Sequence, residues 1–310
     1  MSFPSHIAVI DIGTNTVLLL IAKVFPDRSY ETLCEEIRFP RLGDGLSQTP
    51  FFSQDVQDRV NHVLEDYQKK IEKFSCEEVL VTGTAAFRKA KNAGSFAKMI
   101  QDRFGFSVKI ISGEEEARFI HSAAMDSFSH LQKPVLVLDI GGGSTEFIFD
   151  TEKDIKEISL PMGVVTLTEQ FFFSDPPTEQ EFETLKAFIE KSFENLPKGI
   201  SVKHLVATAG TPTTLCAIAL GLRDYDGKRI HGQEMTAATV KGLFSKLSSM
   251  TATERGHIPC LPEKRADVVV AGSVLLLFVL EHFGLKSFFV SDRGLRHGVL
   301  LERLSKWKGP

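Results

Sequence analysis

The chain has 310 residues, of which 43% are hydrophobic and 25% charged, so it is long enough for two domains that each bury a core. A formal net charge of −4 excludes a basic field over the whole surface, and we therefore expect no nucleic-acid partner. The four cysteines lie far apart without a Cys-x-x-Cys pair, which indicates neither a zinc site nor a disulfide framework and fits a reducing cytoplasm.

Targeting and membrane segments are not expected either. No basic and apolar leader precedes the first predicted strand at Ile7. The longest apolar run, Val268 to Leu280, is shorter than the roughly 20 residues that a membrane span needs, and it predicts a buried helix. The sequence thus predicts a cytoplasmic protein without a membrane partner.

The first predicted element is a β-hairpin near the N-terminus. An apolar run from Ile7 leads into Asp11-Ile-Gly-Thr14-Asn15-Thr16, after which a second apolar run begins. The pattern of strand, Asp-Ile-Gly, small turn and strand returns at Asp139, and this repeat suggests two related halves. Each copy could also be an ordinary hairpin whose Asp and Gly serve the turn, an interpretation that the second copy makes less favourable.

Between the two hairpins, Tyr30 to Arg38 predicts a strand, and Ser53 is the predicted cap of an amphipathic helix. A further strand, Glu78 to Thr82, runs into a turn that ends in basic residues. Ligands bind at such edges of α/β sheets, so Arg88, whose planar guanidinium can bond two phosphate oxygens, is a candidate phosphate ligand. The alternative is a solvated surface arginine beside Lys89.

Three adjacent glutamates begin the next predicted helix. Ser112 and Glu115 fit a capping box, and acidic residues in a first turn are favoured by the helix dipole. Glu114, Glu115 and Glu116 are nevertheless more carboxylates than a cap requires. Because successive helical side chains diverge by about 100°, at most one or two of them can reach a cleft, and the spacing does not say which. A general base would be useful at this point between the two hairpins.

The second hairpin, residues 135–150, has three glycines at its tip. Gly141, Gly142 and Gly143 lack a Cβ, so consecutive N–H groups can face one anion closely, which suits a phosphate. Asp139 stands before the turn, and its carboxylate can face the same anion only if a hard cation such as Mg²⁺ or Ca²⁺ lies between them. Two such tips could hold one polyphosphate from opposite sides.

Several elements follow the second hairpin. Residues 158–166 predict a strand and a turn, and Thr178 with Glu181 forms a second predicted capping box. Residues 228–232 predict a short basic loop. No long linker is present, so two packed halves with a cleft between them are expected.

A third anion-facing loop is predicted where an apolar strand runs into Gly210 and Thr211. The segment could instead be a simple strand-to-helix connection, and the sequence favours neither interpretation.

In their order and spacing, the motifs of this chain resemble the exopolyphosphatase and guanosine pentaphosphate phosphohydrolase family, within the actin, Hsp70 and sugar kinase superfold. The matching segments cover nearly the whole sequence: Asp11-Ile-Gly-Thr-Asn-Thr, Gly83-Thr-Ala-Ala-Phe-Arg-Lys-Ala-Lys-Asn, Ser112-Gly-Glu-Glu-Glu-Ala-Arg, Asp139-Ile-Gly-Gly-Gly-Ser-Thr-Glu, Ala209-Gly-Thr, Ile230-His-Gly and Ser291-Asp-Arg-Gly-Leu-Arg-His-Gly-Val-Leu.

The resemblance implies an α/β fold of two duplicated actin-like, ribonuclease H-like domains with an interdomain cleft. We place the first domain at residues 1–124 and the second at 125–310, and the final helix, about residues 298–310, could pack back on the first. The implied activity is Mg²⁺-dependent release of orthophosphate from the end of inorganic polyphosphate. The alternatives are hydrolysis of the alarmone pppGpp at its 5′ phosphate, and a sensor that binds alarmone without catalysis.

The resemblance also assigns roles to individual residues. The family's base is the glutamate directly before Ala-Arg, which is Glu116 here, and Arg88 would neutralise charge on the phosphoryl oxygens. Mg²⁺ would be held by Asp139 with Asp11 and Glu146. The implied substrate-binding residues are those of the three loops: Thr14, Asn15, Gly141, Gly142, Gly143, Ser144, Gly210 and Thr211.

Two features limit the implied activity. Long family members continue into helical C-terminal domains that help hold long polymers, whereas the present sequence ends at Pro310, so the resemblance does not extend to processive action on very long polymers. A polyanion could follow only dispersed basic residues, and a homodimer, which we expect, would extend that track: Arg41, Lys228, Arg229, Arg265, Arg293 and Arg296. A kinase of the same superfold is the nearest rival, but it needs a nucleotide pocket and an acceptor site, and the sequence indicates neither.

Overall fold

The computed structural model describes residues 4–307, which form an α/β protein with two sheets, each containing parallel and antiparallel strands. The chain divides into two compact units. The first comprises residues 4–123 together with 295–307, and the second comprises residues 124–294. Each unit buries a hydrophobic core of its own.

The first unit is built on a five-stranded sheet in the order β3-β2-β1-β4-β5. β1 is antiparallel to β2, and β2 to β3, whereas β4 runs parallel to both β1 and β5. The elements up to the start of the second unit are β1 (His6–Ile12), β2 (Val17–Val24), β3 (Tyr30–Arg38), α1 (Gln54–Lys73), β4 (Glu78–Gly83), α2 (Ala85–Lys89), α3 (Ala93–Phe104), β5 (Val108–Ile110) and α4 (Gly113–Phe128).

Helix α1 illustrates how the sequence determines this unit. The Ser53 hydroxyl accepts a hydrogen bond from the Val56 amide at 3.3 Å, as the predicted cap requires. The apolar residues of α1 recur at helical spacing and are buried against the sheet. The Tyr67 hydroxyl, also buried, donates to the carbonyl of Val17 at 2.8 Å and so anchors the first residue of β2.

The second unit is built on a six-stranded sheet in the order β10-β11-β9-β6-β7-β8. A one-turn 3₁₀ helix lies at Glu263–Arg265. The other elements are β6 (Val135–Ile140), β7 (Thr145–Asp150), β8 (Ile155–Leu160), α5 (Val164–Phe171), α6 (Glu179–Phe193), β9 (His204–Thr208), α7 (Gly210–Ala219), α8 (Gly227–Ile230), β10 (Glu234–Thr236), α9 (Ala237–Ser248), α10 (Ala252–Arg255), α11 (Val269–His282) and β11 (Ser287–Val290), and α12 (Leu295–Ser305) belongs to the first unit.

The two sheets repeat one topology. In the first, the hairpin β1/β2 is extended by antiparallel β3, and β4 lies parallel to β1 on the other side. In the second, the hairpin β6/β7 is extended by antiparallel β8, and β9 lies parallel to β6. The predicted repeat of the two hairpins is therefore confirmed, and it extends to the strands on either side.

Two local predictions were wrong. Residues 158–166 are not a strand and a turn, because β8 ends at Leu160 and helix α5 begins at Val164. β-branched residues favour strands, but the first amides of α5 bond to carbonyls of the glycine loop, and this tertiary contact outweighs local preference. Residues 228–232 are not a plain loop either, because Asp226 caps the one-turn helix α8.

Helix α11 is buried over most of its length, as its apolar sequence predicts. Within residues 4–307, no helix is both long and apolar enough to cross a membrane.

Candidate active site

The turn between β1 and β2, residues 11–16, forms what we call the Asp11 loop. Two of its carbonyls accept hydrogen bonds from the segment after β3. The Gly43 amide donates to the oxygen of Thr14 at 2.8 Å, and the Arg41 amide donates to the oxygen of Asn15 at 3.2 Å. Within the described chain, the amides of Thr14, Asn15 and Thr16 donate to no backbone carbonyl. The loop thus keeps several N–H groups available for an anion, as predicted for a phosphate loop.

The turn between β6 and β7, residues 141–144, is the Gly141 loop, and it has the same construction. The Val164 amide donates to the Gly141 oxygen and the Val165 amide to the Gly142 oxygen, both at 2.9 Å. In the part of the chain that is described, the amides of Gly142, Gly143 and Ser144 have no backbone acceptor. Both predicted phosphate loops therefore present free amides on one side and bonded carbonyls on the other.

Two carboxylates stand directly beside the Gly141 loop. Asp139, near the end of β6, is the register partner of Glu146 in β7, so the two side chains lie on the same face of the sheet. Both residues are buried, and Glu146 Oε1 accepts a hydrogen bond from the Ser159 hydroxyl at 2.8 Å. Adjacent buried carboxylates repel each other, and a divalent cation between them would remove that repulsion.

This pair fits the oxygen ligands that Mg²⁺ prefers. Asp11 occupies the corresponding position in the first unit, near the end of β1, and is also buried. Among residues 4–307, no three His, Cys, Asp or Glu side chains converge into a complete metal cage. Mg²⁺ commonly binds through one or two carboxylates and retains water or phosphate oxygens, so a carboxylate pair is an adequate ligand set.

Arg88 and Glu116, predicted from separate motifs, form an ion pair within the first unit. Arg88 Nη1 donates to Glu116 Oε2 at 2.7 Å and to the carbonyl of Ile111 at 3.0 Å. Burial raises the pKa of Glu116 above its ordinary value, although Arg88 opposes the shift. A buried carboxylate whose pKa is raised by desolvation and which contacts a specific charged partner is a candidate functional group.

The three adjacent glutamates have different environments. Glu115 forms the predicted capping box, since its amide donates to the Ser112 hydroxyl at 3.1 Å and its carboxylate accepts from the Ser112 amide at 3.2 Å. Glu114 is exposed, and only Glu116 is buried. Of the three glutamates, Glu116 is therefore the one that is buried and bonded to Arg88.

The third predicted loop is a direct strand-to-helix connection, because helix α7 begins at Gly210 immediately after β9 and Ala209. Thr211 is buried in the first turn of α7. The guanidinium of Arg265 covers this turn, and its Nη1 donates to the Thr214 hydroxyl at 3.0 Å. Of the two interpretations left open, the strand-to-helix connection describes the backbone, and the guanidinium of Arg265 lies over its first helical turn.

A model of the Ppx/GppA phosphatase family matches residues 20–307 of this chain. The chain belongs to that family. Among curated relatives, exopolyphosphatase 2 of Mycobacterium tuberculosis is 30% identical over 96% of this chain and 98% of its own length. A bifunctional 3-dehydroquinate synthase/phosphatase of Fusobacterium nucleatum is 31% identical over 95% of this chain, which spans about half of that relative, 46% of its length.

Solved structures lead to the same conclusion. The Ppx/GppA family member of Aquifex aeolicus is 35% identical, with a TM-score of 0.83 over 98% of this chain and 99% of that one. An exopolyphosphatase of Cytophaga hutchinsonii is 28% identical, with a TM-score of 0.91 over 98% and 99%. The resemblance stated from the motifs and the actin-like α/β fold class are confirmed, and the family is one of hydrolases.

Two further Ppx/GppA motifs meet inside the second unit. The backbone amide of Asp292, from the Ser-Asp-Arg-Gly segment, donates to Nδ1 of His231, from the Ile-His-Gly segment, at 3.2 Å. The Tyr225 hydroxyl donates to the Asp292 carboxylate. Burial, reinforced by Arg293, lowers the pKa of His231, which keeps the imidazole neutral and its Nδ1 able to accept.

Sequence reasoning did not select the segments that support the two loops. Gly43 lies between the predicted strand that ends at Arg38 and the predicted helix cap Ser53, and Gly163 fell inside the wrongly predicted strand and turn. The available signal was weak, namely a glycine beside a buried apolar residue, Leu42 in one case and Met162 in the other. Arg265 was recognised only as one of several dispersed basic residues.

Proposed function

We propose that this Ppx/GppA family member is an exopolyphosphatase that hydrolyses the terminal phosphoanhydride bond of inorganic polyphosphate and releases orthophosphate, with Mg²⁺ as cofactor. The observation that carries the proposal is the buried Glu116 bonded to Arg88 at 2.7 Å. A passive sensor has no need of a carboxylate poised for proton abstraction, and a kinase would need a nucleotide pocket and an acceptor site in addition to such a base. Relatives named exopolyphosphatase at about 30% identity support the choice of substrate.

Glu116 is the general base of the proposed reaction. Its carboxylate orients a water molecule and accepts a proton as the water oxygen bonds to the terminal phosphorus. The bond from that phosphorus to the bridging oxygen breaks, and the bridging oxygen becomes the end of a polymer shortened by one phosphate. The raised pKa makes Glu116 a stronger base than an exposed glutamate.

Arg88 and the free amides of each loop are groups that can bind phosphate. The guanidinium has a planar fork of donors, one of which is directed at Glu116 and the Ile111 carbonyl, so the others can bond phosphate oxygens as negative charge develops. The free amides of the Asp11 loop and of the Gly141 loop each offer donors to phosphate oxygens. Asp139 and Glu146 would hold Mg²⁺, which when bound neutralises phosphate charge.

The direct test is orthophosphate release from polyphosphates of defined length and from pppGpp, measured with and without Mg²⁺. We expect release from polyphosphate that requires Mg²⁺ and is lost in Glu116→Gln. Faster release from pppGpp than from polyphosphate would identify pppGpp, not polyphosphate, as the preferred substrate. Labelled phosphate appearing on an added acceptor would indicate a kinase, and binding without release by the wild type would indicate a sensor.

A further inference from the structure

We infer that Gly43 and Gly163 are positioning residues that determine which way the amides of the two phosphate-binding loops face. Neither glycine belongs to the Asp11 loop or the Gly141 loop, and each lies in a segment that packs against one of them. The inference rests on the proposed phosphate-binding role of the loops, but it can be tested by the binding of orthophosphate alone.

Gly43 is in contact with the Asp11 loop. Its amide donates to the Thr14 oxygen at 2.8 Å, and a Cβ at this position would lie 2.2 Å from Cγ2 of Thr14. The backbone of Gly43 is not in the left-handed region, so it is the available space that requires glycine. Its neighbour Arg41, which also donates to the loop, does adopt a left-handed φ of 52°, a strain that the surrounding structure must compensate.

Gly163 makes the equivalent contact with the Gly141 loop. It is the N-cap of α5 with an ordinary extended backbone, φ −96°. A Cβ there would lie 2.3 Å from the carbonyl carbon of Gly142 and from the nitrogen of Gly143. The next two residues, Val164 and Val165, donate their amides to the loop carbonyls. The close approach of α5 to the loop therefore depends on the absence of a side chain.

The consequence for the loops follows from the planarity of the peptide bond. In a trans peptide the C=O of one residue and the N–H of the next point in opposite directions. When Gly43 and Arg41 hold the carbonyls of Thr14 and Asn15, the N–H groups of Asn15 and Thr16 are turned to the other side.

The same reasoning applies to the Gly141 loop. Because α5 holds the carbonyls of Gly141 and Gly142, the N–H groups of Gly142 and Gly143 point away from it. Four amides are thus oriented for an anion by two backing segments, and a shift in either segment would rotate the peptide planes that carry them.

The first test uses Gly43→Ala and Gly163→Ala, each with a matched control in the same unit. Gly94 in α3 and Gly242 in α9 have open space where a Cβ would lie and no positive φ, so Gly94→Ala and Gly242→Ala change composition without moving a loop. Misplacement of reacting groups by about 1 Å costs about 10²-fold in rate, so we expect kcat/KM to fall by that order in the two test variants. Orthophosphate affinity, measured by calorimetry, should fall with it, and the controls should retain both.

The second test is a rescue. Thr14→Ser removes Cγ2, the atom closest to a Cβ at position 43, but retains the hydroxyl. The loss caused by Gly43→Ala should therefore be much smaller in the Thr14→Ser background than in the wild type, whatever Thr14→Ser does by itself. Gly163→Ala should not be rescued by any side-chain change in the loop, because its Cβ meets backbone atoms.

These outcomes separate the inference from the proposed function. Equal losses from Gly43→Ala in the wild type and in the Thr14→Ser background, or losses no greater than those of Gly94→Ala and Gly242→Ala, would overturn the positioning role. If Gly43→Ala alone does not fold, recovery of folding and orthophosphate binding in the double variant supports the role, and no recovery refutes it. A wild type that releases no phosphate from polyphosphate but binds orthophosphate in a glycine-dependent way would refute only the exopolyphosphatase assignment.

Discussion

Glu116 is the residue on which the proposed hydrolysis depends. Glu116→Gln keeps the size and one hydrogen-bond acceptor toward Arg88 but removes the basic carboxylate, so we expect kcat to fall by about 10²- to 10⁴-fold. Steady-state phosphate release measures the loss. Glu114→Gln, at an exposed position in the same turn, is the matched control, and a comparable loss there would show that the effect is not specific to the buried base.

The stability of the protein should also depend on Glu116 and pH. Because the pKa of Glu116 is raised in the folded state, folding favours its protonated form, and this contribution is lost as pH rises through the raised pKa. Glu116→Gln carries no such ionisation. We therefore expect the stability of Glu116→Gln relative to wild type to increase with pH above about 4.5, the ordinary value, as urea unfolding would show. A pH-independent difference would contradict this.

Arg88 opposes the rise in the pKa of Glu116, so its removal should raise that pKa further. In Arg88→Met, the acid limb of the kcat/KM profile should move to higher pH, and the rate on the plateau should fall because a phosphoryl ligand is lost. Arg88→Lys retains the charge and should move the limb less. An acid limb that stays in place in Arg88→Met would mean that Glu116 is not the group that titrates. Arg118→Met is the control, because Arg118 is an exposed arginine of α4, the helix that carries Glu116. This substitution should leave the acid limb unchanged.

At the scale of elements, helix α6 begins with the predicted capping box of Thr178 and Glu181. The Glu181 carboxylate accepts from the amides of Thr178, Phe173 and Ser174, and these bonds lower the pKa of Glu181 to about 2. We expect Glu181→Gln to destabilise the protein by about 1 kcal/mol at neutral pH without changing phosphate release. The control is Glu183→Gln, because the carboxylate of the exposed Glu183 pairs only with Lys186 in the described structure.

The pH dependence of that effect has the opposite sign to that of Glu116. A depressed pKa contributes stability above the unfolded value of about 4.5, and the contribution is lost as pH falls toward 2. The difference in unfolding free energy between wild type and Glu181→Gln should therefore shrink in acid. A difference that persists undiminished near pH 2 would show that the carboxylate charge is not what stabilises the cap.

At the scale of the whole molecule, a ligand that binds only the folded chain raises its thermal stability. If Asp139 and Glu146 hold Mg²⁺, added Mg²⁺ should raise the unfolding midpoint of the wild type, and chelation should reverse the shift and abolish phosphate release. Asp139→Asn should lose the Mg²⁺-dependent shift. Asp154→Asn, at an exposed aspartate after the same hairpin, should retain it. If Mg²⁺ raises the unfolding midpoint of Asp139→Asn as much as that of the wild type, Asp139 is not a ligand of the ion.

Much of this architecture could be predicted from local sequence, and the exceptions share one physical cause. Ser53 and Thr178 identified helix starts because a cap acts within a few residues of itself. The choice of Glu116 among three glutamates depends on burial, and the start of α5 at Val164 depends on bonds to the Gly141 loop. Gly43 is constrained by Thr14, which is distant along the chain. Contacts between residues that are distant along the chain can hardly be predicted from a single sequence.

The first unit is interrupted in sequence, and this has a consequence for biogenesis. Its closing helix α12 packs on β1 and β2, and it also bonds the neighbouring strands: Arg296 donates to Glu35 of β3 and Arg303 to Glu78 of β4, both at 2.8 Å. The ribosome delivers those strands early but releases α12 only after all of residues 124–294 have emerged. Until α12 emerges, the apolar strand face that it covers lacks this helix, so the half that carries Arg88 and Glu116 is the last to have all of its residues available.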